Sequence, residues 1–239
     1  MTEDYAVILL AAGSASRFNS DENINKVLMP LNNRPVFDYS LRLFLEDNRC
    51  KTVWLVIKDE EKQQFQTRLE SLYGVTPAKV NWVTGGCERQ DSVALALDKL
   101  ATDESGSVLV HDAARPFLTD RLIDRLIKGL NESEAVIPVI PVTDSLKRVK
   151  ENEVLNSLYR AEVRRVQTPQ AFSLSVLKEA FEKAETEQFY GNEEGELVER
   201  SGHQVKTVAG EELNFKLTTQ LDYHMAICLI DTGWLNKLD

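Results

Sequence analysis

The sequence predicts an α/β protein, a mostly parallel β-sheet with helices on both faces and one protruding β-hairpin arm. Three observations predict it. Short apolar runs alternate with amphipathic segments along the chain, as repeated βαβ units require. Several runs are apolar throughout rather than at every second position, which suits strands buried on both faces. One stretch, 143–165, breaks the rhythm with two extended runs around the polar Lys150-Glu-Asn-Glu153.

The elements follow in order. Ala6–Leu10 reads as the first strand. Phe37, Leu41, Phe44 and Leu45 then share one helix face. Thr52–Ile57 is the second long strand. Phe65, Leu69 and Leu72 line a helix ending at Gly74, a residue suited to a C-cap. Val80–Val83 and Ser107–Val110 are further strands. Thr119 can cap a helix striped by Leu122, Ile123, Leu126, Ile127 and Leu130. Ala135–Val142 leads into the arm, at about 141–165. A lone two-stranded ribbon is marginal in water, so the arm needs a surface. A second copy of the chain and the chain's own surface both remain open. Ser173 can cap a helix carrying Leu177, Ala180, Phe181 and Ala184, and Val205–Val208 and Leu213–Leu217 complete the strands. No internal repeat interrupts the 239 residues, which read as a single domain over 1–239.

Composition narrows the function. The chain has 28 basic and 38 acidic side chains, a net charge of −10, and is 43% hydrophobic. The apolar share excludes a disordered chain. The acidic balance excludes a nucleic-acid coat, since it repels phosphate backbones. An anionic small molecule stays possible where basic residues gather locally. Cys50, Cys87 and Cys228 are too scattered for a disulfide framework or a metal site, and point to a reducing cytoplasm. No apolar run approaches the ~20 residues of a membrane span, so neither membrane nor nucleic acid is an expected partner.

In open parallel sheets ligands bind beyond the carboxyl ends of the strands, so the loops there carry the chemistry. Leu10-Ala-Ala-Gly-Ser-Ala-Ser-Arg-Phe18 follows the first strand. Its small residues allow close approach of backbone N–H groups to phosphate. It is neither G-x-G-x-x-G nor G-x-x-x-x-G-K-[ST], which weakens dehydrogenase and Walker-type readings. Arg17 and Lys26 place two cations after it. Thr84-Gly-Gly-Cys-Glu-Arg-Gln-Asp-Ser92 holds a glycine pair, and Ser92 can cap a helix or bind a base or ribose. In Val108-Leu-Val-His-Asp-Ala-Ala-Arg-Pro-Phe117, Asp112 can bind Mg²⁺ and Arg115 a phosphate. The plainer alternative is a local Asp112–Arg115 ion pair. His111 reads as packed at the strand end. Lys147, Arg148, Arg160, Arg164 and Arg165 cluster on and after the arm, which suits an anionic substrate. Lys216, by pattern alone, is an edge lysine. No H-E-x-x-H or G-x-S-x-G supports a hydrolase.

Three motifs, His111-Asp-Ala-Ala-Arg-Pro-Phe117, Pro141-Val-Thr-Asp-Ser-Leu-Lys-Arg148 and Gln167-Thr-Pro-Gln-Ala-Phe172, make the chain resemble the 2-C-methyl-D-erythritol 4-phosphate cytidylyltransferase family. The resemblance runs from Ala11 to Lys216. It implies a Rossmann-like fold, CTP and an alditol phosphate as substrates, Mg²⁺ as cofactor, pyrophosphate as product, and a homodimer formed through the arm. It further implies that Arg17 and Lys26 meet the CTP phosphates and that Ala11, Ala12, Gly13, Gly86 and Ser92 bind cytidine. Asp112, Arg115, Ser145, Arg160, Thr168 and Lys216 would form the substrate side, with Asp112 also the metal ligand and Lys216 counted with Arg17 and Lys26 as catalytic. Ser145 and Arg160 would serve the other subunit's site.

The chain departs from the family pattern in places. Ala15 and Phe18 stand where a glycine and a methionine are usual, and Ser145 replaces a threonine. The stretch G-T-D-[DE]-A-S becomes Gly191-Asn-Glu-Glu-Gly-Glu196, and Pro-Glu-Asp becomes Gln220-Leu-Asp222. These changes bear on the alditol more than on CTP. A ribitol-5-phosphate cytidylyltransferase is the nearest alternative; it more often reads H-D-A-V-R-P-F and lacks the Lys147-Arg148 pair. A non-catalytic nucleotide-binding homodimer is the alternative from another class.

Overall fold

The computed structural model describes residues 3–13, 25–100 and 106–233. In chain order it contains β1 (Tyr5–Leu10), β2 (Pro30–Leu31), β3 (Arg34–Pro35), α1 (Val36–Glu46), β4 (Cys50–Ile57), α2 (Lys62–Tyr73), β5 (Val80–Thr84) and α3 (Arg89–Leu97). Then come β6 (Ser107–Asp112), α4 (Asp120–Leu130), β7 (Ala135–Pro141), β8 (Leu146–Lys150), β9 (Glu153–Leu158), β10 (Arg164–Val166), β11 (Gln170–Ser173), α5 (Leu174–Thr186), α6 (Glu194–Ser201), β12 (Lys206–Ala209) and α7 (Gln220–Asp231).

The main sheet runs β10-β7-β11-β6-β1-β4-β5, with β12 also on β7. The block β6-β1-β4-β5 is parallel, as is β12 on β7. β10 and β11 run antiparallel to their neighbours. β1 shows why such strands are apolar at every position. Tyr5, Val7 and Leu9 pack into one cluster with α1, α2 and α4, while Ala6 and Ile8 pack into another with α3, α5 and α6. Successive strand side chains point to opposite faces, so a strand between two helical layers needs both sets apolar. Each large side chain so buried contributes roughly 1.5–3 kcal/mol.

Local expectations fare unevenly. Thr119 caps α4, accepting from the Leu122 N–H, and Gly74 ends α2 at φ 80°. Ser173 precedes α5 but makes no capping hydrogen bond; its hydroxyl meets that of Ser175 at 3.0 Å. Leu213–Leu217 is not a strand. The Leu217 N–H donates to Ala114 and the Asn214 side chain to Thr168 O, so the segment is pinned by loops. Gln170–Ser173 forms β11, a strand that the apolar pattern does not reveal because only four residues enter the ladder.

The arm is an antiparallel pair, β8 and β9, forming its own two-stranded sheet. Glu151 and Asn152 turn it, both at positive φ (49° and 69°), the geometry of a tight primed hairpin turn. Val149, Val154, Leu155 and Tyr159 are exposed on it or just after it.

Candidate active site

The register of the parallel strands brings three loops to one edge. Leu10 lies opposite Asp112 and Val56, and Ile57 opposite Thr84. The ladder extends one residue further: Ala11 N–H to Val56 O at 2.8 Å, Gly85 N–H to Ile57 O at 2.8 Å and Ala113 N–H to Leu10 O at 3.0 Å. The chain runs from β1 outward to β4 and β5, then returns to β1's other side as β6. This reversal opens a crevice at the carboxyl ends, where such sheets bind ligands.

Asp112, the last residue of β6, is the centre of a charge cluster. Lys216 Nζ lies 3.0 Å from its Oδ2, Arg115 Nε 3.6 Å from the same oxygen and Arg89 Nε 3.4 Å from Oδ1. Burial works to raise the carboxyl, but Lys216, Arg89 and Arg115 together hold it far below the usual carboxylate range. Asp112 is therefore an anion at neutral pH. The local Asp112–Arg115 pair is present and largely buried, and two further, partly exposed cations meet the same carboxylate. Arg115 also donates to Asn214 O at 2.8 Å.

β11 delivers Thr168 to the same place. Because β11 runs antiparallel to β6, with Gln170 opposite Val110, its start lies beside the end of β6. The Thr168 hydroxyl accepts from the Asp112 N–H at 3.0 Å. It also meets His111 Nδ1 at 3.1 Å, while His111 Nε2 is 3.3 Å from Arg115 O. A carbonyl only accepts, so Nε2 carries the ring proton and Nδ1 accepts from Thr168. Burial pushes His111 down to about 3, keeping it neutral. The Thr168 proton thus faces His111, and its hydroxyl oxygen the Asp112 N–H.

The nucleotide-side residues meet in the adjoining crevice. A Cβ on Gly85 would lie 2.8 Å from Ala12 Cβ and 3.0 Å from Ser92 Oγ, and one on Gly86 would collide with Asp91. The glycine pair therefore lets the loop after β5 close on the loop after β1. Ser92 is no cap: it lies inside α3, accepting from Gly86 N–H at 3.1 Å and donating to Glu88 O at 3.1 Å. Glu88 caps α3 instead. Asn25 donates to Ala11 O at 2.8 Å and to the buried Glu61 at 2.7 Å, fixing the chain beside Lys26. Lys26 is near Asp222. Burial there acts to raise the Asp222 carboxyl, but hydrogen bonds from Thr218 and Thr219 and the Lys26 charge hold it below its usual range.

Gly13, in the loop after β1, is exposed, and Arg17 lies outside the described residues. Ser145 and Arg160 are exposed on the arm; Arg160 donates to Thr143 O at 2.6 Å, and no hydrogen bond or ion pair among the described residues joins either to Asp112. Sequence reasoning missed Arg89, Glu194 and Asn214. Arg89 stands three residues after the glycine pair, at the start of a helix, and that position was the available signal.

The donor set does not fit a resident metal ion on Asp112. Both carboxylate oxygens already face three cations, and the described residues contain no group of three His, Cys, Asp or Glu side chains able to hold one. A carboxylate already facing three cations attracts a further divalent cation weakly. In this structure Asp112 anchors Lys216, Arg89 and Arg115.

A mostly parallel sheet whose carboxyl edge joins a close-approach glycine loop to a cluster of lysine and arginine suits a nucleotide-binding enzyme, and the family match makes the class nucleotidyltransferase. The 2-C-methyl-D-erythritol 4-phosphate cytidylyltransferase family model matches residues 5–232. The enzyme of that name from Halalkalibacterium halodurans is 37% identical over 227 residues, covering 95% of this chain and 97% of its own. That from Shouchella clausii is 39% identical over 219 residues, covering 92% and 93%. Among solved structures, 4-diphosphocytidyl-2C-methyl-D-erythritol synthase from Anaerococcus prevotii superposes with a TM-score of 0.84 at 26% identity, covering 97% of this chain and all of that one. The Francisella tularensis 2-C-methyl-D-erythritol 4-phosphate cytidylyltransferase gives 0.78 at 27% identity, covering 97% and 99%. The chain belongs to the 2-C-methyl-D-erythritol 4-phosphate cytidylyltransferase family.

Proposed function

We propose that the chain couples CTP to 2-C-methyl-D-erythritol 4-phosphate, giving 4-diphosphocytidyl-2-C-methyl-D-erythritol and pyrophosphate for isoprenoid precursor synthesis in the cytoplasm. The observation that carries this reading is the Lys216–Asp112–Arg115 cluster at the end of β6, beside the glycine loop after β5.

An oxygen of the alditol phosphate attacks the α-phosphorus of CTP in line. The bond from that phosphorus to the bridging oxygen breaks, and pyrophosphate leaves with the electron pair. A phosphate monoester is a competent nucleophile near neutral pH, so no strong base is needed. The protein positions the reactants and offsets charge. Ala11, Ala12, Gly13, Gly86 and Ser92 hold cytidine, chiefly through backbone. Lys26 and Arg17 offset charge on the α-phosphate and the leaving group. Lys216 and Arg115 receive the alditol phosphate, and Asp112 orients them and accepts from substrate hydroxyls. CTP enters as its Mg²⁺ complex, the ion held by the triphosphate. The exposed arm pairs with a second copy, and Ser145 and Arg160 complete the partner's site. No described helix is long and apolar enough to cross a membrane.

The test is pyrophosphate release from CTP with 2-C-methyl-D-erythritol 4-phosphate and with ribitol 5-phosphate in turn. Release with the first is expected. Release with ribitol 5-phosphate alone would overturn the substrate, and CTP binding without release from either would leave a non-catalytic nucleotide-binding homodimer.

A further inference from the structure

Arg89 belongs to no role assigned above, yet its guanidinium is shared between two carboxylates from distant parts of the chain. Nη1 and Nη2 grip Glu194 Oε1 and Oε2 at 2.5 and 3.0 Å, and Nε faces Asp112 Oδ1 at 3.4 Å. The Glu194 side chain is 1% exposed and that of Asp112 10%. A forked, two-point contact fixes the plane of a guanidinium as a lysine cannot. Glu194 is itself held. It opens α6, whose cap Glu193 accepts from the Gly195 and Glu196 N–H groups and from the Gln170 side chain. Gln170 in turn accepts from the Gly195 N–H at 3.1 Å and begins β11, beside Thr168.

Arg89 is also the first residue of α3, directly after the glycine loop that closes on β1. Its side chain therefore joins the loop on the nucleotide side to the carboxylate on the substrate side. The group has two anions, Asp112 and Glu194, and three cations, Arg89, Arg115 and Lys216. With Glu194 taking the Arg89 fork, only Nε reaches Asp112, and Oδ2 is left to Lys216 at 3.0 Å and Arg115 at 3.6 Å.

We infer that Arg89 and Glu194 form a positioning pair that sets Asp112, and through it Lys216, for the alditol phosphate. The inference rests on the functional reading above and adds two residues to it. Without Glu194's charge, the Arg89 fork turns toward Asp112 and competes with Lys216. With lysine at position 89, one ammonium cannot serve both carboxylates.

The test is binding, which needs no turnover, followed by stability. Calorimetry with 2-C-methyl-D-erythritol 4-phosphate and, separately, with CTP is run on the wild type, Arg89→Lys, Glu194→Gln and the double variant Arg89→Met/Glu194→Met. Replacing a buried ion pair by apolar side chains is often neutral for stability, so the double variant separates folding from function. Losing one charge-assisted hydrogen bond predicts about a tenfold weaker Kd for the alditol phosphate in every variant. The CTP Kd should move less than about twofold on the same reasoning, since neither Arg89 nor Glu194 is assigned a contact to the nucleotide. The double variant should unfold at a temperature near the wild type while its alditol phosphate affinity stays low. Recovery of affinity together with stability in that variant, or unchanged affinity in the single variants, would overturn the pair. A wild type that binds CTP but no alditol phosphate would instead overturn the functional reading, and this inference with it.

Discussion

The Thr168 hydroxyl stands between the Asp112 N–H and His111 Nδ1, at 3.0 and 3.1 Å, and so ties β11 to the last two residues of β6. All three groups are buried, and water cannot replace a lost partner. Thr168→Val should leave two buried polar groups unpaired, at about 1–3 kcal/mol each. A lower urea midpoint and a reduced kcat/KM are expected, with Thr168→Ser close to wild type. A valine variant equal to wild type in both would refute this linkage.

His111 should remain neutral at about pH 5, where an ordinary histidine is charged. Its folded value near 3 lies below the usual 6.5. As pH falls through about 6.5 the unfolded chain takes up a proton that the folded chain does not. This group's share of stability is then lost between about pH 6.5 and 3, at roughly 1.4 kcal/mol per unit. Imidazole nitrogen shifts should report a single proton, on Nε2, across that window. A doubly protonated ring at pH 5 would contradict the assignment.

Lys26→Ala should lower kcat by about 10²–10³, the usual cost of one well-placed charge donor, with the thermal midpoint nearly unchanged. Stopped-flow pyrophosphate release measures the first and calorimetry the second. An unaltered rate would remove Lys26 from the phosphate site.

Two glycines should behave differently. Gly86→Ala drives a methyl into Asp91 at the start of α3, and overpacking of this kind costs about 1–3 kcal/mol. A weaker CTP Kd should accompany it. A Cβ on Gly13 would meet nothing among the described residues within 4 Å, so Gly13→Ala should stay within about 0.5 kcal/mol of wild-type stability. Its CTP Kd should still rise if the backbone there contacts the nucleotide. Equal behaviour of the two variants in stability would contradict the packing.

The exposed Val154 and Leu155 of the arm suit an apolar interface. Val154→Asp with Leu155→Asp should convert a dimer to a monomer by sedimentation velocity and reduce kcat/KM, since Ser145 and Arg160 then reach no partner. A wild type that sediments as a monomer would end the dimer proposal.

Much of this architecture was readable beforehand. β1, β4, β5, β6, β7 and β12, and helices α1, α2, α4 and α5, announce themselves because apolar residues recur with the period of the element that buries them. The loops after β1, β5 and β6 follow from the strands, which is why Lys26, Gly86 and Asp112 could be named early. β11 could not: four residues, Gln170 to Ser173, carry no period of their own. Leu213–Leu217 misled in the opposite direction, since its extended pattern is satisfied by Ala114 and Thr168 instead of a neighbouring strand.

What the sequence determined by itself was the order of the longer strands and helices and the sign and place of the charged groups near the sheet's carboxyl edge, for these depend on local apolar patterning and on residue type. Only the tertiary structure decided which charges meet. Asp112 pairs with Arg89, Arg115 and Lys216, and Arg89 with Glu194 105 positions away. Such pairings are selected by burial, because a carboxylate removed from water must find cations wherever the fold brings them, and apart from the local Asp112–Arg115 pair no spacing along the chain records that choice.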